Sequence, residues 1–443
     1  MTALAEPATV TSNADARLDA CMNPNMHASS EATTDATVDA IALEDAWGAN
    51  NYHPLDLVVA HAEGAWVIDV DGRRYLDCLS AYSAVNQGHC HPRILATLIE
   101  QASRVTLTSR AFRNAQLGAF CHELAILCGM EMVLPMNTGA EAVETAIKAA
   151  RRWGYTRKGI PDGQATIIAF DNNFHGRTTT IVGFSSEPAY RAHFGPFAPG
   201  FVLVPFGDIE AVRAAMSANT CAVLFEPIQC EAGVLLPPDG FVRALAELCR
   251  EQRVLLIADE IQTGLGRTGR MFACDHDDVQ PDMYVLGKAL SGGFYPVSAV
   301  VSRREILGVF GPGSHGSTFG GNPLGCAVAR TAMQVVQDED LVQRSAALGA
   351  WMLDQLRTLD DPRIRTVRGR GLMLAIELHG PARPYCEALK QLGVLCKETH
   401  DTVIRLSPPL VVSRDDLAWA MARLRTVFSG GGTGDDEQRG ESL

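Results

Sequence analysis

Two short apolar runs in this chain end in side chains suited to covalent chemistry. Val254-Leu255-Leu256-Ile257-Ala258 stops at the carboxylates Asp259 and Glu260. Met283-Tyr284-Val285-Leu286 stops at Gly287-Lys288-Ala289-Leu290-Ser291-Gly292-Gly293. Runs of this length, rich in Val, Ile and Leu and bounded by turn residues, read as buried strands of a parallel sheet. In open α/β sheets, ligands bind beyond the carboxyl ends of the strands. Asp259 and Lys288 both stand at such ends, where an acid and an amine suit a cationic ring and a carbonyl.

The chain has five lysines, Lys148, Lys158, Lys288, Lys390 and Lys397. Four lie in helix-like or polar surroundings, where a solvated ammonium is the default. Lys288 instead closes an apolar strand, among small residues that leave room for a ligand. Desolvation there lowers an amine's pKa, which a lysine needs before it attacks a carbonyl. A strand-end lysine ordinarily reaches solvent, and a strand-end aspartate is ordinarily a turn former. The combination carries the reading, and the cofactor with matching needs is pyridoxal phosphate. A carboxylate about 4 Å from its pyridine nitrogen, at an effective dielectric near 20, is worth roughly 4 kcal/mol. That raises the nitrogen's pKa by about three units, so the ring stays protonated and acts as an electron sink.

These residues need elements to hold them. Asn137-Thr138-Gly139-Ala140-Glu141 opens a helix expected to run to about Trp153-Gly154, with Thr138 as its N-cap. Free N–H groups and the positive dipole end at such a start form an anion site, although threonine caps are common. Further strands are expected at Ala165–Phe170, Phe201–Val204 and Cys221–Phe225, the last ending in Glu226-Pro227. A loop, Asn173-Phe174-His175-Gly176-Arg177, follows the first, and a helix from about Gly240 to Gln252 leads into the Leu255 strand. This alternation predicts an α/β chain with a mostly parallel sheet.

The ends read differently. Residues 1–45, rich in Ala, Thr, Ser, Asn and Asp, are expected to be a disordered extension. Trp66–Val70 and Arg73–Asp77 read as a hairpin around a two-residue Asp71-Gly72 turn. The segment 46–85 is expected to join a small domain at 336–428, leaving 86–335 as the large domain. The small domain is expected to hold strands at Leu372–Glu377 and Thr402–Leu406 and a helix from about Arg414 to Val427. The glycine-rich tail, 429–443, is expected to be disordered.

Composition narrows the function. At 443 residues the chain is long enough for a large and a small domain. The net charge of -13 argues against broad binding to nucleic acid. No apolar run approaches a membrane span. The twelve cysteines are scattered without a CxxC pair, and the N-terminus lacks signal-peptide and transit-peptide patterns, so a cytoplasmic location is expected. His89-Cys90-His91 lacks further ligands at metal-site spacing and reads as a loop. Gly264-Leu265-Gly266-Arg267-Thr268-Gly269 fits GxGxxG, but five residues separate it from the preceding strand and no helical period follows. It is not read as a dinucleotide site. Gly287-Lys288 is not read as a P-loop either, because Asp282 and Ala289 break that pattern.

Three stretches together resemble the class III pyridoxal-phosphate aminotransferases. They are Asp259-Glu260-Ile261-Gln262-Thr263-Gly264, Gly287 to Gly293, and Gly316-Ser317-Thr318-Phe319-Gly320-Gly321-Asn322-Pro323. Asn51–Leu55, Ser83–Pro92, Leu134–Gly139 and Arg405–Leu410 are similar, within that family, to the enzymes that act on ornithine. The likeness covers roughly residues 47 to 428. It implies the type I fold of these enzymes: a large domain with a mostly parallel sheet plus a smaller α+β domain. It also implies that Lys288 bonds the cofactor and shuttles the proton, Asp259 holds the ring nitrogen, Gln262 reaches the ring hydroxyl and Phe174 stacks on the ring. Thr138, Gly139 and Ala140 would take the phosphate, with Thr318 from a neighbouring subunit, so a homodimer is implied. Tyr52 and Arg177 would bind the α-carboxylate end of L-ornithine, and Tyr82 would shape the pocket around the α-amino group. Glu231 would pair with Arg405 until 2-oxoglutarate displaces it; an ordinary salt bridge is the plainer reading of those two.

The implied reaction is ping-pong. The δ-amine of L-ornithine goes to 2-oxoglutarate, leaving glutamate 5-semialdehyde and glutamate. Two residues depart from the family pattern: Cys230 stands where glycine is usual, and His175 where animal relatives carry tryptophan. Rival readings are an acetylornithine or 4-aminobutyrate aminotransferase, a racemase or decarboxylase on the same scaffold, and a non-enzymatic relative. Tyr52 and Tyr82 weigh against the first, and an intact Lys288 and Asp259 against the last.

Overall fold

The computed structural model describes residues 33–429, and expectations for 1–32 and 430–443 fall outside them. Thr33–Trp47 is helical, where the composition predicts no regular structure up to residue 45. The stretch contains four alanines and no Gly or Pro, so helix propensity decides where apolar content is too low to signal order. Among the described residues, 33–60 with 69–73 form one compact unit, and 61–68 with 74–429 form another. In the first unit Thr37 Oγ1 donates to Asp71 Oδ2 at 2.9 Å. The Asp69 N–H donates to the Arg73 carbonyl, which leaves Val70, Asp71 and Gly72 as a three-residue turn rather than the expected two. Asp69 Oδ1 accepts from both Asp71 N and Arg73 N, and this fixes the wider turn.

Strands β1 (Val59–Glu63), β2 (Trp66–Asp69) and β3 (Arg74–Asp77) come first. A seven-stranded sheet follows, made of β4 (Met132–Met136), β5 (Thr166–Phe170), β6 (Phe201–Val204), β7 (Thr220–Phe225), β8 (Leu255–Asp259), β9 (Met283–Leu286) and β10 (Ser298–Ser302). Its order is β4-β10-β9-β8-β7-β5-β6, parallel throughout except for β10, which runs antiparallel to β4 and β9. Strands β7, β8 and β9 are buried along their whole length, which is why they read as continuous apolar runs.

Alternate residues of these strands feed two cores. Ile167, Leu224 and Ile257 pack with Ala142 and Ile147 of helix α1 (Gly139–Trp153). Their neighbours Ile168, Val223 and Leu256 face the other way, onto Leu245 and Leu248 of α2 (Phe241–Glu251). The sheet is thus covered on both faces, and its carboxyl edge is the place left for a ligand.

The chain then forms α3 (Pro323–Asp338) and α4 (Leu341–Arg357) before a second, antiparallel sheet. Its strands are β11 (Ile364–Arg370), β12 (Met373–Leu378), β14 (Lys397–Thr399) and β15 (Val403–Leu406), in the order β11-β12-β15-β14. The two-residue β13 (Val394–Leu395) instead pairs parallel with β3, Val394 opposite Leu76. Helix α5 (Arg414–Ser429) closes this part. One core joins Val328 and Val335 of α3, Ile376, Ile404 and Leu417 to Leu76 and Ile94 from far upstream. The expected strands and last helix are present within one or two residues. Strand β11 gave no sequence signal because Arg365, Arg368 and Arg370 interrupt its apolar alternation.

Residues 264–268 lie in consecutive turns, and only a five-residue 3-10 helix, Ala273–Asp277, follows, so the glycines there do not start a dinucleotide fold. His89 and His91 turn to different carboxylates, Asp77 at 2.8 Å and Glu339 at 2.9 Å. Among the described residues, no helix is long and apolar enough to cross a membrane.

Helix α4 passes close to the turn before β12. A Cβ on Gly349 would lie 2.1 Å from the Gly371 carbonyl carbon and oxygen. In a free helix Gly→Ala is favourable by about 1 kcal/mol. Here Gly349→Ala is expected to lower the thermal unfolding midpoint by at least ~4 °C; a rise in midpoint would contradict this packing.

Candidate active site

Four adjacent strands of the large sheet deliver the chemistry from their carboxyl ends. In spatial order, β9 is followed by Lys288, β8 ends in Asp259, β7 is followed by Glu226 and β5 by Phe174 and His175. The parallel register sets Asp259 opposite Val285, three residues short of Lys288. Lys288, Asp259, Phe174 and Glu226 line a cavity of about 190 Å³ together with Gly139, Ala140 and Gln262. The Lys288 backbone is left-handed, with φ of 44°. For a non-glycine residue this costs on the order of 1–3 kcal/mol, strain of the kind that collects at functional sites.

Burial lowers the Lys288 amine to about 8. The charge of Glu231 works against that shift and the charge of Arg405 adds to it. Asp259 is buried; its Oδ2 lies 2.6 Å from His175 Nδ1, and its Oδ1 accepts from the Ile261 N–H at 3.1 Å. His175 is itself buried, and its Nε2 has no partner among the described residues. Glu226 Oε2 accepts from the Phe174 N–H at 3.0 Å and so fixes the ring-bearing loop. Burial, and then the nearby Asp259 charge, hold the Glu226 carboxyl well above the usual range.

Sequence reasoning passed over the roles of His175 and Glu226. Glu226 carried the same signal as Asp259, a carboxylate closing an apolar run. His175 carried none, because its partner lies 84 residues away.

The start of α1 closes another side. Thr138 Oγ1 accepts from Glu141 N at 3.3 Å, while Glu141 Oε2 accepts from Thr138 N at 2.8 Å and from Asn137 N at 3.0 Å. This capping box engages the first donors and leaves the N–H groups of Gly139 and Ala140 at the cavity, without partners among the described residues. A Cβ on Gly139 would meet Ile261 Cδ1 at 2.9 Å, so glycine keeps the approach to those donors open. Pyridoxal phosphate fits this donor set: a low-pKa amine, a held carboxylate, an aromatic ring and an anion-binding helix start.

Beyond the amine, Arg405 is 1% exposed and ion-paired to Glu231 at 2.8 Å. Its Nη2 donates to Gln262 Oε1 at 2.5 Å, and Gln262 Nε2 donates to Glu231 Oε1 at 3.0 Å, closing a ring of three side chains. Burial opposes it, but the Arg405 and Lys288 charges hold Glu231 below the usual carboxylate range. The Tyr82 ring lies 5.2 Å from the Arg405 guanidinium carbon and 6.0 Å from Lys288 Nζ.

The Glu231 loop is anchored on both sides. Gln229 bridges to Leu235, and the Cys230 thiol is buried against Met373 Sδ at 3.2 Å. Cys230 therefore occupies the position usual for glycine without leaving the loop loose. Arg177 is exposed and stacks over Tyr190 at 4.3 Å, with Phe174 at 5.9 Å. Thr318 is exposed and does not line the cavity of its own chain. Tyr52 belongs to the other compact unit and is 69% exposed.

The strand-end lysine and aspartate, the aromatic ring and the helix start define a pyridoxal-phosphate enzyme of fold type I. Residues 47–428 match the class-III aminotransferase model, and the chain belongs to that family. It is 60% identical over 382 residues to an ornithine aminotransferase of Bacillus subtilis, covering 86% of this chain and 95% of that one. The ornithine aminotransferase of Toxoplasma gondii, solved with partial occupancy of PLP at its active site, superposes with a TM-score of 0.88. It is 42% identical, over 95% of this chain and 98% of that one. An acetylornithine aminotransferase from Elizabethkingia anophelis gives a TM-score of 0.81 at 47% identity, over 89% of this chain and 99% of that one.

The charges around Lys288 make a signed prediction. In the apoprotein, acylation of its amine followed by mass spectrometry is expected to rise with pH around a midpoint near 8, because only the neutral amine reacts. Glu231→Gln removes the anion that favours the charged amine and is expected to move that midpoint down. Arg405→Met removes a repelling cation and is expected to move it up. Shifts of the same sign in both variants would contradict the assignment.

Proposed function

We propose that this chain transfers the δ-amino group of L-ornithine to 2-oxoglutarate, yielding L-glutamate 5-semialdehyde and L-glutamate by a ping-pong route. The observation that carries this reading is the ion pair of the buried Arg405 with the half-buried Glu231 beside Lys288, in a chain that is 60% identical to an ornithine aminotransferase.

Pyridoxal phosphate, when bound, supplies the aldehyde that takes up the amine and a ring that draws electrons from the adjoining carbon. Lys288 would bond it; once the ornithine δ-amine has displaced the lysine, the freed Lys288 Nζ would take a proton from Cδ of ornithine and return it on the other side of the transfer. An amine lowered to about 8 is matched to that task at neutral pH. Asp259 keeps the ring nitrogen protonated, and His175 keeps Asp259 in place. Phe174 covers the ring, and Gln262 serves both the ring hydroxyl and the Arg405–Glu231 pair. The N–H groups of Gly139 and Ala140, with the Thr138 side chain, take the phosphate. The partner subunit's Thr318 completes that cradle in a homodimer.

Tyr52 and Arg177 bind the α-carboxylate end of ornithine, and Tyr82 borders its α-amino group. With Glu231 on Arg405, the guanidinium does not recruit that carboxylate, and ornithine presents its δ-amine to Lys288. For 2-oxoglutarate, Glu231 moves aside and Arg405 takes the α-carboxylate. Arg405 Nε, buried and without a partner among the described residues, is a donor already free for it. The large part, 86–335, carries the cofactor; 46–85 and 336–428 form the small part, and the enzyme works in the cytoplasm.

Incubation with ornithine and 2-oxoglutarate, trapping the semialdehyde, tests the reading. Initial rates with ornithine are expected to exceed those with acetylornithine and 4-aminobutyrate; a faster rate with either would replace ornithine as donor. Lys288→Ala is expected to lose at least ~10²-fold in turnover. Glu231→Ala is expected to raise use of glutamate as donor relative to ornithine, and an unchanged ratio would refute the gate.

A further inference from the structure

The glycine-flanked loop Gly264–Gly269 is not a dinucleotide site, yet it places an arginine deep in the protein interior. Arg267 is fully buried, and none of its hydrogen-bond acceptors is a carboxylate. All five N–H groups are used. Nε donates to Asn86 Oδ1 at 3.2 Å, and Nη1 donates to the carbonyls of Leu372 at 2.9 Å and Pro408 at 2.5 Å. Nη2 donates to Ser80 Oγ at 3.0 Å and to Asn86 Oδ1 at 2.5 Å. A lysine has neither the number of donors nor the planar fork for this set.

What these acceptors hold is the substrate wall. Ser80 opens a turn in which four consecutive non-glycine residues are left-handed: Ser80 at φ 46°, Ala81 at 46°, Tyr82 at 58° and Ser83 at 71°. Such a run does not persist unless its surroundings impose it. Asp77 Oδ1 accepts from the N–H groups of Leu79 and Ser80, both at 2.8 Å, and Ser80 Oγ donates to the Ser407 carbonyl at 2.6 Å. Ser407 and Pro408 directly continue the strand that carries Arg405. One guanidinium therefore ties the turn bearing Tyr82 to the segment bearing Arg405, and those two side chains lie 5.2 Å apart.

We propose that Arg267 is a positioning residue for donor recognition, fixing the Tyr82 turn against the Arg405 strand so that the ornithine pocket has one width. This rests on the reading of Tyr82 and Arg405 as substrate contacts. Arg267 lines no part of the cofactor cavity, so its loss is felt in substrate binding before it is felt in cofactor binding.

The test is a double-mutant cycle in the holoenzyme, with wild-type turnover of ornithine measured first. Absence of that turnover would refute the functional reading, and the cycle would then be run with the donor the wild type accepts. Arg267→Lys is expected to cut kcat/KM for the donor at least ~10-fold, mainly through KM, since displacements near 1 Å have effects of this size or more. Cofactor affinity, from titration of the visible absorbance, is expected to change less than ~2-fold, as an arginine outside the cofactor shell implies. In a Tyr82→Ala background the same change is expected to add less than ~3-fold, because the two residues act as a unit. Equal losses in both backgrounds, or a parallel loss of cofactor affinity, would overturn the proposal. Ser80→Ala, which removes the acceptor for Arg267 Nη2 and the donor to the Ser407 carbonyl with little loss of volume, decides the matter if Arg267→Lys does not fold. Both bonds tie the Tyr82 turn to the Arg405 segment, so the substitution is expected to raise the donor KM at least ~3-fold, the lower end of what such losses cost, and an unchanged KM would overturn the proposal.

Discussion

The site depends on keeping one amine poorly solvated beside compensating charges. Lys288 sits where water is scarce, and this alone would favour its neutral form. Arg405 and Glu231 bring opposite charges to the same interior and push the amine in opposite directions, with desolvation the larger influence. The arrangement leaves desolvation in command while the pair itself stays ionised, since Glu231 is held below its usual range and Arg405 above its own. Removing either member would leave the other as an uncompensated buried charge, which is far more costly than the pair is valuable. Arg405, Glu231 and Lys288 are therefore one electrostatic problem.

A second theme is strain held by polar anchors. Four left-handed residues in succession cost roughly 1–2 kcal/mol each relative to ordinary backbone, and Lys288 adds another such residue. Hydrogen bonds to the Asp77 carboxylate and the Ser407 carbonyl, and one from Arg267, offset that cost at the Tyr82 turn. A buried guanidinium whose five donors all meet neutral oxygens is stable only if those oxygens stay in place. The anchor and the strained turn thus enforce each other. Around them, glycines admit backbone approaches that no other residue allows: a Cβ on Gly371 would lie 2.3 Å from the Thr268 carbonyl carbon.

Much of the large sheet was legible because its signals are local. Strands β5, β7 and β8 are short apolar runs that end where a polar residue begins. Asp259 and Lys288 could therefore be placed at the carboxyl edge, and Thr138 at a helix start, without coordinates. Local signals failed where composition misled. The Thr33–Trp47 helix looked too polar to be ordered, and β11 was hidden by its arginines. The hairpin turn gained a residue because Asp69 captures two N–H groups, a contact that an Asp-Gly rule does not weigh.

The sequence by itself determined the class of chemistry, since an amine and an acid closing neighbouring apolar strands leave few uses. Family likeness then proposed that Glu231 meets Arg405, but 174 residues separate them, and only the folded chain brings them to 2.8 Å. The same holds for His175 against Asp259 and for Arg267 against Ser80, Asn86 and Pro408. Such pairings have no local signature, because a hydrogen bond depends on distance and angle in space. Those were decided by how two sheets and their helices pack.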